Sequence, residues 1–207
     1  MKPGDLFFLF SAVVVLLALL GLLVALVAGR RALIRRLGLG LLVYVGMYML
    51  LLLLTSVLSP EQVVAQGEPR CFDDWCLAVE SVARASSIGS TSASGVYYLV
   101  TLEVSNRGRG RSQRAADAGV YVIDADNRRF APSPAGERAL AAAGLAGLPL
   151  SSPVEVGQPF THTAVFDLPP DVRQPGLAVS HGDFPGVLII GADHSLMHRP
   201  AVVWLDR

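Results

Sequence analysis

The sequence predicts two transmembrane α-helices followed by an all-β extracytoplasmic domain, an antiparallel β-sandwich of about seven strands. Three observations carry this expectation. Two apolar runs, Leu6–Ala28 and Leu37–Ser59, hold no charged residue, and each is longer than the ~20 residues a helix needs to cross a bilayer. The stretch between them carries Arg30, Arg31, Arg35 and Arg36, whereas the tail before them carries only Lys2 and Asp5. By the positive-inside rule the arginine loop stays in the cytoplasm, and the N-terminus and everything after Pro60 face outward. The remainder of the chain reads as short alternating or β-branched segments between Gly and Pro turns.

The 52% hydrophobic content of the 207 residues is concentrated in the first third of the chain. The chain beyond Ser59, about 148 residues, is enough for one domain with a real core. That part holds twelve arginines and sixteen carboxylates, a net charge of −4, which with its compartment argues against nucleic acid as a partner. Lysine occurs once and asparagine twice, while Arg, Ala, Gly and Leu abound, a usage that suggests a GC-rich bacterial genome. The expected organisation is a helical hairpin over residues 1–59, with helices at about 6–28 and 37–58 and the arginine loop at 29–36. A linker is expected at 60–70 and the sandwich at 71–207. The first run is too long for a signal-peptide core. Val63-Val64-Ala65 offers a cleavage site after the second run, but the uncleaved hairpin is the reading adopted. Within the two apolar runs Tyr44, Tyr48 and Thr55 are the notable polar side chains, and no charged one accompanies them. Transport and proton relay need such groups, so the hairpin reads as an anchor or a helix-packing partner. Gly21, Gly29, Gly38, Gly40 and Gly46 would permit close helix approach.

Along the outer domain, Trp75–Arg84 alternates as a first strand and Ser86–Gly95 reads as a small-residue turn. Val96–Asn106 is rich in β-branched and aromatic residues, with Val96, Tyr98, Val100, Leu102 and Val104 on one face. Val120–Asp124 begins a hairpin that turns at Asp126-Asn127 into Arg128–Phe130. A short helix is expected over Pro134–Ala143. Phe160–Leu168 alternates again and stops at Pro169-Pro170. Leu177–Ser180, Val187–Ile190 and Ala201–Leu205 complete the expected strands.

These segments resemble the bacterial secreted or membrane-tethered immunoglobulin-like domains of unknown function. The resemblance runs from about Cys71 to Leu205 and rests on CFDDWCLAVESV (71–82), YLVTLEVSNRGRG (98–110), VYVIDADNRRFAPS (120–133), FDLPPDV (166–172) and LIIGADHSLMHRP (188–200). It implies an immunoglobulin-like sandwich that presents loops, and brings no established catalytic residue with it. The anchor differs from that of lipoprotein members, because neither cysteine follows a lipobox.

The candidate chemistry is sparse. Cys71 and Cys76 lie outside the cytoplasm, where a close pair is usually a disulfide. Four residues separate them, whereas thioredoxin-like motifs and zinc knuckles use two. His194, Met197 and His198 combine imidazole with thioether, a set that suits copper, and His162 or His181 would join if the loops met. A periplasmic metal or thiol-redox domain is therefore the alternative reading, although no cofactor is expected in the leading one. Two helices before an outer sandwich is also the plan of subunit II of haem-copper oxidases. The cysteine spacing and the absence of ligands just downstream confine that comparison to architecture. Asp73, Asp74 and Glu80 form an acidic group. Asp124-Ala125-Asp126-Asn127 begins like a calcium loop but lacks its glycine and distal glutamate, so its carboxylates read as turn residues. No serine sits in a nucleophile elbow. The expectation is a non-enzymatic binding module anchored in the bilayer of a bacterial inner or cytoplasmic membrane. Arg107, Arg109, Arg111 and Arg114, with Asp193, His194 and His198, are the loop residues expected to meet a protein or envelope partner.

Overall fold

The computed structural model describes residues 3–72, 74–182, 185–191 and 195–206. They divide into a helical unit, Met1–Pro60 with Gly182–Arg199, and a sandwich unit, Glu61–His181 with Pro200–Arg207.

In the helical unit, α1 spans Pro3–Val27 and α2 spans Arg31–Leu58. The turn between them is tighter than the expected 29–36 loop. Arg31, Arg35 and Arg36 are already helical, because arginine is a good helix former and nothing in Arg31–Leu37 breaks the helix. Gly29 makes the reversal at φ +67°, a conformation that costs glycine nothing. The helices are antiparallel. Tyr44 donates to Ser11 Oγ at 2.9 Å, and the rings of Phe7 and Tyr48 stack at 5.8 Å. Residues 185–191 and 195–199 belong to this unit and not to the sandwich. The strand expected at Val187–Ile190 is absent: Gly186–Leu188 forms a single 3₁₀ turn. Its apolar side chains pack beside the helices, so alternation towards a sheet face has no role there.

The sandwich unit holds β1 Arg70–Phe72, β2 Trp75–Ile88, β3 Thr91–Asn106, β4 Gln113–Arg114, β5 Gly119–Ile123, β6 Arg129–Phe130, α3 Pro134–Ala142, β7 Pro153–Val154, β8 Phe160–Leu168, β9 Gly176–Ser180 and β10 Val202–Trp204. One four-stranded sheet has the order β1-β2-β3-β8, the other β10-β9-β5-β6, and β4 and β7 form a two-stranded ribbon. Described residues thus give ten strand segments where about seven were expected, the surplus being pieces of two or three residues. Every pairing within these sheets is antiparallel. Alternation places Leu77, Val79, Val100, Leu102, Val104, Ala164 and Phe166 of the first sheet against Val120, Val122 and Leu177 of the second. Each is at most 7% exposed, so burial of these faces is what joins the sheets. The opposite face of β3 and β8, with Tyr97 and Val165, is covered by Leu140 of α3. That helix starts at Ser133, whose hydroxyl accepts from the Gly136 amide, with Pro134 in the first turn.

Two boundaries differ from expectation. The supposed turn Ser86–Gly95 is mostly strand, and the reversal is confined to Gly89-Ser90 between Ile88 and Thr91. Small residues suffice there because α3 covers only part of that face, through Ile88 and Tyr97. The supposed linker 60–70 is not free either. Gln62 and Val64 exchange backbone hydrogen bonds with Val202, both at 2.9 Å, so the chain is tied into the sandwich before β1 begins.

Two aspartates act as local caps. Asp167 accepts from the amides of Ser94 and Gly95 at 2.8 and 3.0 Å. Asp124 accepts from the amides of Asp126 and Arg128, both at 2.9 Å, and from the Arg128 guanidinium at 2.7 Å. These carboxylates are turn residues, and Asp126 pairs with Arg173. Burial alone would push both carboxyls up, but the amide hydrogen bonds, with the Arg128 guanidinium at Asp124, outweigh it and hold them below their ordinary value. A depressed folded value adds stability that is complete above the unfolded carboxylate range near pH ~4 and is lost as pH falls through the folded values. The sandwich should therefore destabilise progressively below about pH 4, and Asp124→Asn and Asp167→Asn should flatten that dependence. Both tryptophans, Trp75 and Trp204, lie in the sandwich, so denaturant melts of the full chain read by tryptophan fluorescence at pH 3 to 7 provide the check.

Candidate functional site

Cys71 and Cys76 face each other across the β1–β2 hairpin and are disulfide-bonded. The bond closes the hairpin one residue pair below its tip, where Phe72 and Trp75 are opposite. Asp73 lies outside the described residues. The Phe72 and Trp75 rings stack at 4.8 Å and join the sandwich core, at 7% and 4% exposure. His181 meets both edge-on at 5.3 and 5.5 Å, and its Nδ1 lies 3.3 Å from an Asp117 carboxylate oxygen. The hairpin is thus an aromatic plug at one end of the sandwich, locked by a covalent bond.

The arginine loop is built onto this plug. The Arg107 amide donates to the Asp74 carbonyl at 2.8 Å, and Gln113 donates to the Asp74 carboxylate at 3.1 Å. Asn106 holds the loop from inside. Its side-chain amide donates to the Arg111 carbonyl at 2.7 Å and to the Val154 carbonyl at 2.9 Å. Its oxygen accepts from the Gly108 amide at 2.7 Å. A buried amide whose bonds are all made to backbone fixes a loop shape. Arg107, Arg109, Arg111 and Arg114 are all exposed, and among the described residues none of them is in an ion pair. The arginine loop is therefore a wide connection between β3 and β5, tethered at Asp74, Asn106 and the β4–β7 ribbon.

The other predicted residues fare differently. Asp193 and His194 lie outside the described residues. Met197 is 70% exposed at φ +63°. His198 is half-buried, and its Nδ1 has no hydrogen-bond partner among the described residues. His162 Nδ1 pairs with the Leu148 carbonyl at 2.9 Å, and His181 belongs to the aromatic plug, so these two histidines have separate surroundings. Among the described residues no group of three or more His, Cys, Asp or Glu side chains is placed to hold a metal ion. Sequence reasoning missed Asn106. Its signal was present, since asparagine at the end of an apolar strand just before a Gly-rich turn commonly bonds local backbone.

No family model and no curated protein sequence matches this chain. Two solved structures resemble it in part. One is an uncharacterized β-sandwich protein from Clostridium difficile 630, 11% identical, covering 72% of this chain and 96% of its own, with a TM-score of 0.43. The other is MPT63, a secreted protein from Mycobacterium tuberculosis, 16% identical, covering 60% of this chain and 92% of its own, with a TM-score of 0.44.

Asn106→Ala should cost about 2–3 kcal/mol, because it strands the buried Val154 carbonyl and Gly108 amide and the part-buried Arg111 carbonyl, and should loosen the arginine loop while leaving the strands formed. Amide hydrogen exchange checks this: Gly108 should lose protection relative to Val100.

Proposed function

We propose that the protein is a non-enzymatic binding module held at the outer face of a bacterial inner or cytoplasmic membrane by a two-helix anchor. Its immunoglobulin-like sandwich presents the Arg107–Arg114 loop to an anionic surface, on an acidic protein or an envelope polymer. The observation that carries the reading is the loop itself: four exposed arginines without ion pairs among the described residues, on a backbone fixed by Asn106, in a chain whose part beyond Ser59 has a net charge of −4. Fixed loop geometry lowers the ordering cost of binding. Uncompensated arginines favour carboxylates and phosphates, which they engage in a bidentate fashion.

The anchor reading draws on the helices. Large apolar side chains from Leu6 to Leu58 are exposed throughout α1 and α2, among them Leu17 at 62%, Val24 at 67%, Leu42 at 71% and Val57 at 62%. Side chains of this kind need a cover that the protein does not supply, and lipid hydrocarbon fits. Arg31 sits in the first turn of α2, where the helix dipole disfavours cations, and Arg35 and Arg36 follow in the second turn, where the dipole has little effect. Local helix energetics does not select them there, and retention of the turn in the cytoplasm does.

The strand order supports the immunoglobulin-like reading. With β2, β3, β5, β6, β8, β9 and β10 taken as strands A, B, C, C′, E, F and G, the sheets run A-B-E and G-F-C-C′, as in that fold. The disulfide joins β1 to β2 within one sheet, not the two sheets to each other, so it acts on the hairpin tip.

A photocrosslinker at exposed Ser112 of the full chain in native membranes should form a defined adduct. Neutralising each arginine to alanine should weaken it by about 1 kcal/mol, roughly fivefold in affinity, and added salt should weaken it further. Triple reversal of Arg107, Arg109 and Arg111 to glutamate should abolish it, whereas His198→Ala should not. An adduct indifferent to charge reversal, or one lost with His198→Ala, would turn the assignment towards the metal reading.

A further inference from the structure

The segment between β9 and β10 reads in sequence as one more strand, yet it packs on the helices. We propose that residues 185–191 and 195–199 form a re-entrant element that enters the outer half of the bilayer beside α2 and is covered by lipid acyl chains. The inference rests on reading α1 and α2 as membrane-spanning.

Helix register leaves room for it. The Phe7–Tyr48 stack and the Ser11–Tyr44 hydrogen bond set residues seven and eleven level with forty-eight and forty-four. On that register Gly4 lies near Leu51, so α2 runs on for about seven residues, roughly 10 Å, past the start of α1. The segment packs along this overhang. Ser56 and Ser195 are hydrogen-bonded at 2.9 Å between their hydroxyls, and both are buried, at 0% and 4% exposure. Leu52, one turn earlier, is fully buried. Gly4 lies against Ile189 and the Ile190 carbonyl, where a Cβ would collide with backbone.

Depth is set by Tyr48, whose hydroxyl donates to the Leu188 carbonyl at 2.6 Å. Tyr48 precedes the end of α2 by ten residues, about 15 Å along the axis. Helical side chains lean towards the N-terminus, so the hydroxyl is no shallower than its own backbone. The uncharged part of α2 runs from Leu37 to Leu58, which puts Tyr48 close to its middle. On α2 alone this carries Leu188 to the middle of the uncharged stretch, and on α1 it is level with Phe7 at the outward end of the first uncharged run, which together place it in the outer half of the hydrocarbon.

Irregular backbone is tolerated at such depth only when its polar groups find partners within the protein. The amides of Leu188 and Ile189 donate to the carbonyls of Pro185 and Gly186 at 2.9 and 3.0 Å. Those of Leu196 and His198 donate to the carbonyls of Val187 and Ser195 at 3.1 and 2.9 Å. The Leu188 carbonyl has Tyr48. The first part agrees in composition: no charge occurs from Phe184 to Ala192, a run too short to span a bilayer, while Arg199 closes the element, where its long side chain would reach back to the headgroups. Leu196 and Met197 add exposed apolar surface, 43% and 70%.

The test uses the full chain in liposomes with an environment-sensitive fluorophore on one introduced cysteine, the native pair being closed in its disulfide. Positions are Ile189→Cys, Leu16→Cys in α1 and Leu145→Cys on the sandwich, 56% and 65% exposed at the last two. Quenchers are acyl-chain-brominated lipid and aqueous iodide. The proposal expects the probe at 189 to follow that at 16, quenched by brominated lipid and spared by iodide, with 145 the reverse. Tyr48→Phe should then raise iodide quenching at 189 severalfold while tryptophan fluorescence of the sandwich stays unchanged. Iodide quenching at 189 with lipid quenching at 16, or quenching at 189 by neither agent, would overturn the re-entrant element and leave the anchor standing. Iodide quenching at 16 would overturn the anchor reading and this inference with it.

Discussion

The structure depends on where its apolar surface can be buried. The sandwich solves the problem internally: β2, β3 and β8 turn one face onto β5 and β9, and Val100, Leu102, Val104 and Phe166 are fully buried between them. Helices α1 and α2 do not. They meet along one narrow seam marked by Ser11, Tyr44, Phe7 and Tyr48, and they leave most of their large apolar side chains uncovered. A pair of helices this apolar has no stable arrangement in water. The proposed anchor, and with it the proposed outward placement of the sandwich and use of its loops, rests on assigning that surface to lipid.

The sandwich's two ends of energetic interest are polar devices set into this apolar frame. At one, Asn106 and Asp74 hold a loop of arginines in a fixed shape against a disulfide-locked aromatic plug. At the other, Asp124 gathers two amides and a guanidinium and so fixes the β5–β6 turn. Both satisfy backbone groups that the strands leave unpaired as they end. They differ in what remains outside: the Asp124 corner neutralises its charges through Arg128, Asp171, Asp126 and Arg173, whereas the arginines of the Asn106 loop are in no ion pair among the described residues. That contrast, more than the count of charges, is the reason the arginine loop is the surface proposed for binding.

Much of the fold was legible because its signals are local. The alternation of Phe160–Leu168 matches β8; Ser133-Pro134 announces α3; the length of the apolar runs announces α1 and α2. The failures have a common physical cause. Val187–Ile190 has strand-like composition, but the segment packs beside α1 and α2 instead, and periodicity cannot tell which surface an apolar run will meet. Ser86–Gly95 looks like a turn by its small residues, but partner strands supplied hydrogen bonds that propensity does not register. Among the polar residues of α1 and α2, Tyr44, Tyr48 and Thr55 attract notice by size or position. The shorter Ser11 and Ser56 make tertiary hydrogen bonds beside them, whereas Thr55 bonds only to its own helix. A serine's partner lies far along the chain, and nothing near it in sequence reveals that.

The central claim is that one chain spans the membrane twice and carries its sandwich outside. Alkaline carbonate extraction of bacterial membranes, combined with protease added to spheroplasts, tests it most directly. The account predicts that the full chain stays in the carbonate pellet and that external protease removes the sandwich from intact spheroplasts while the helical pair remains with the membrane. Release into the carbonate supernatant, or a sandwich that becomes cleavable only after the spheroplasts are lysed, would contradict it.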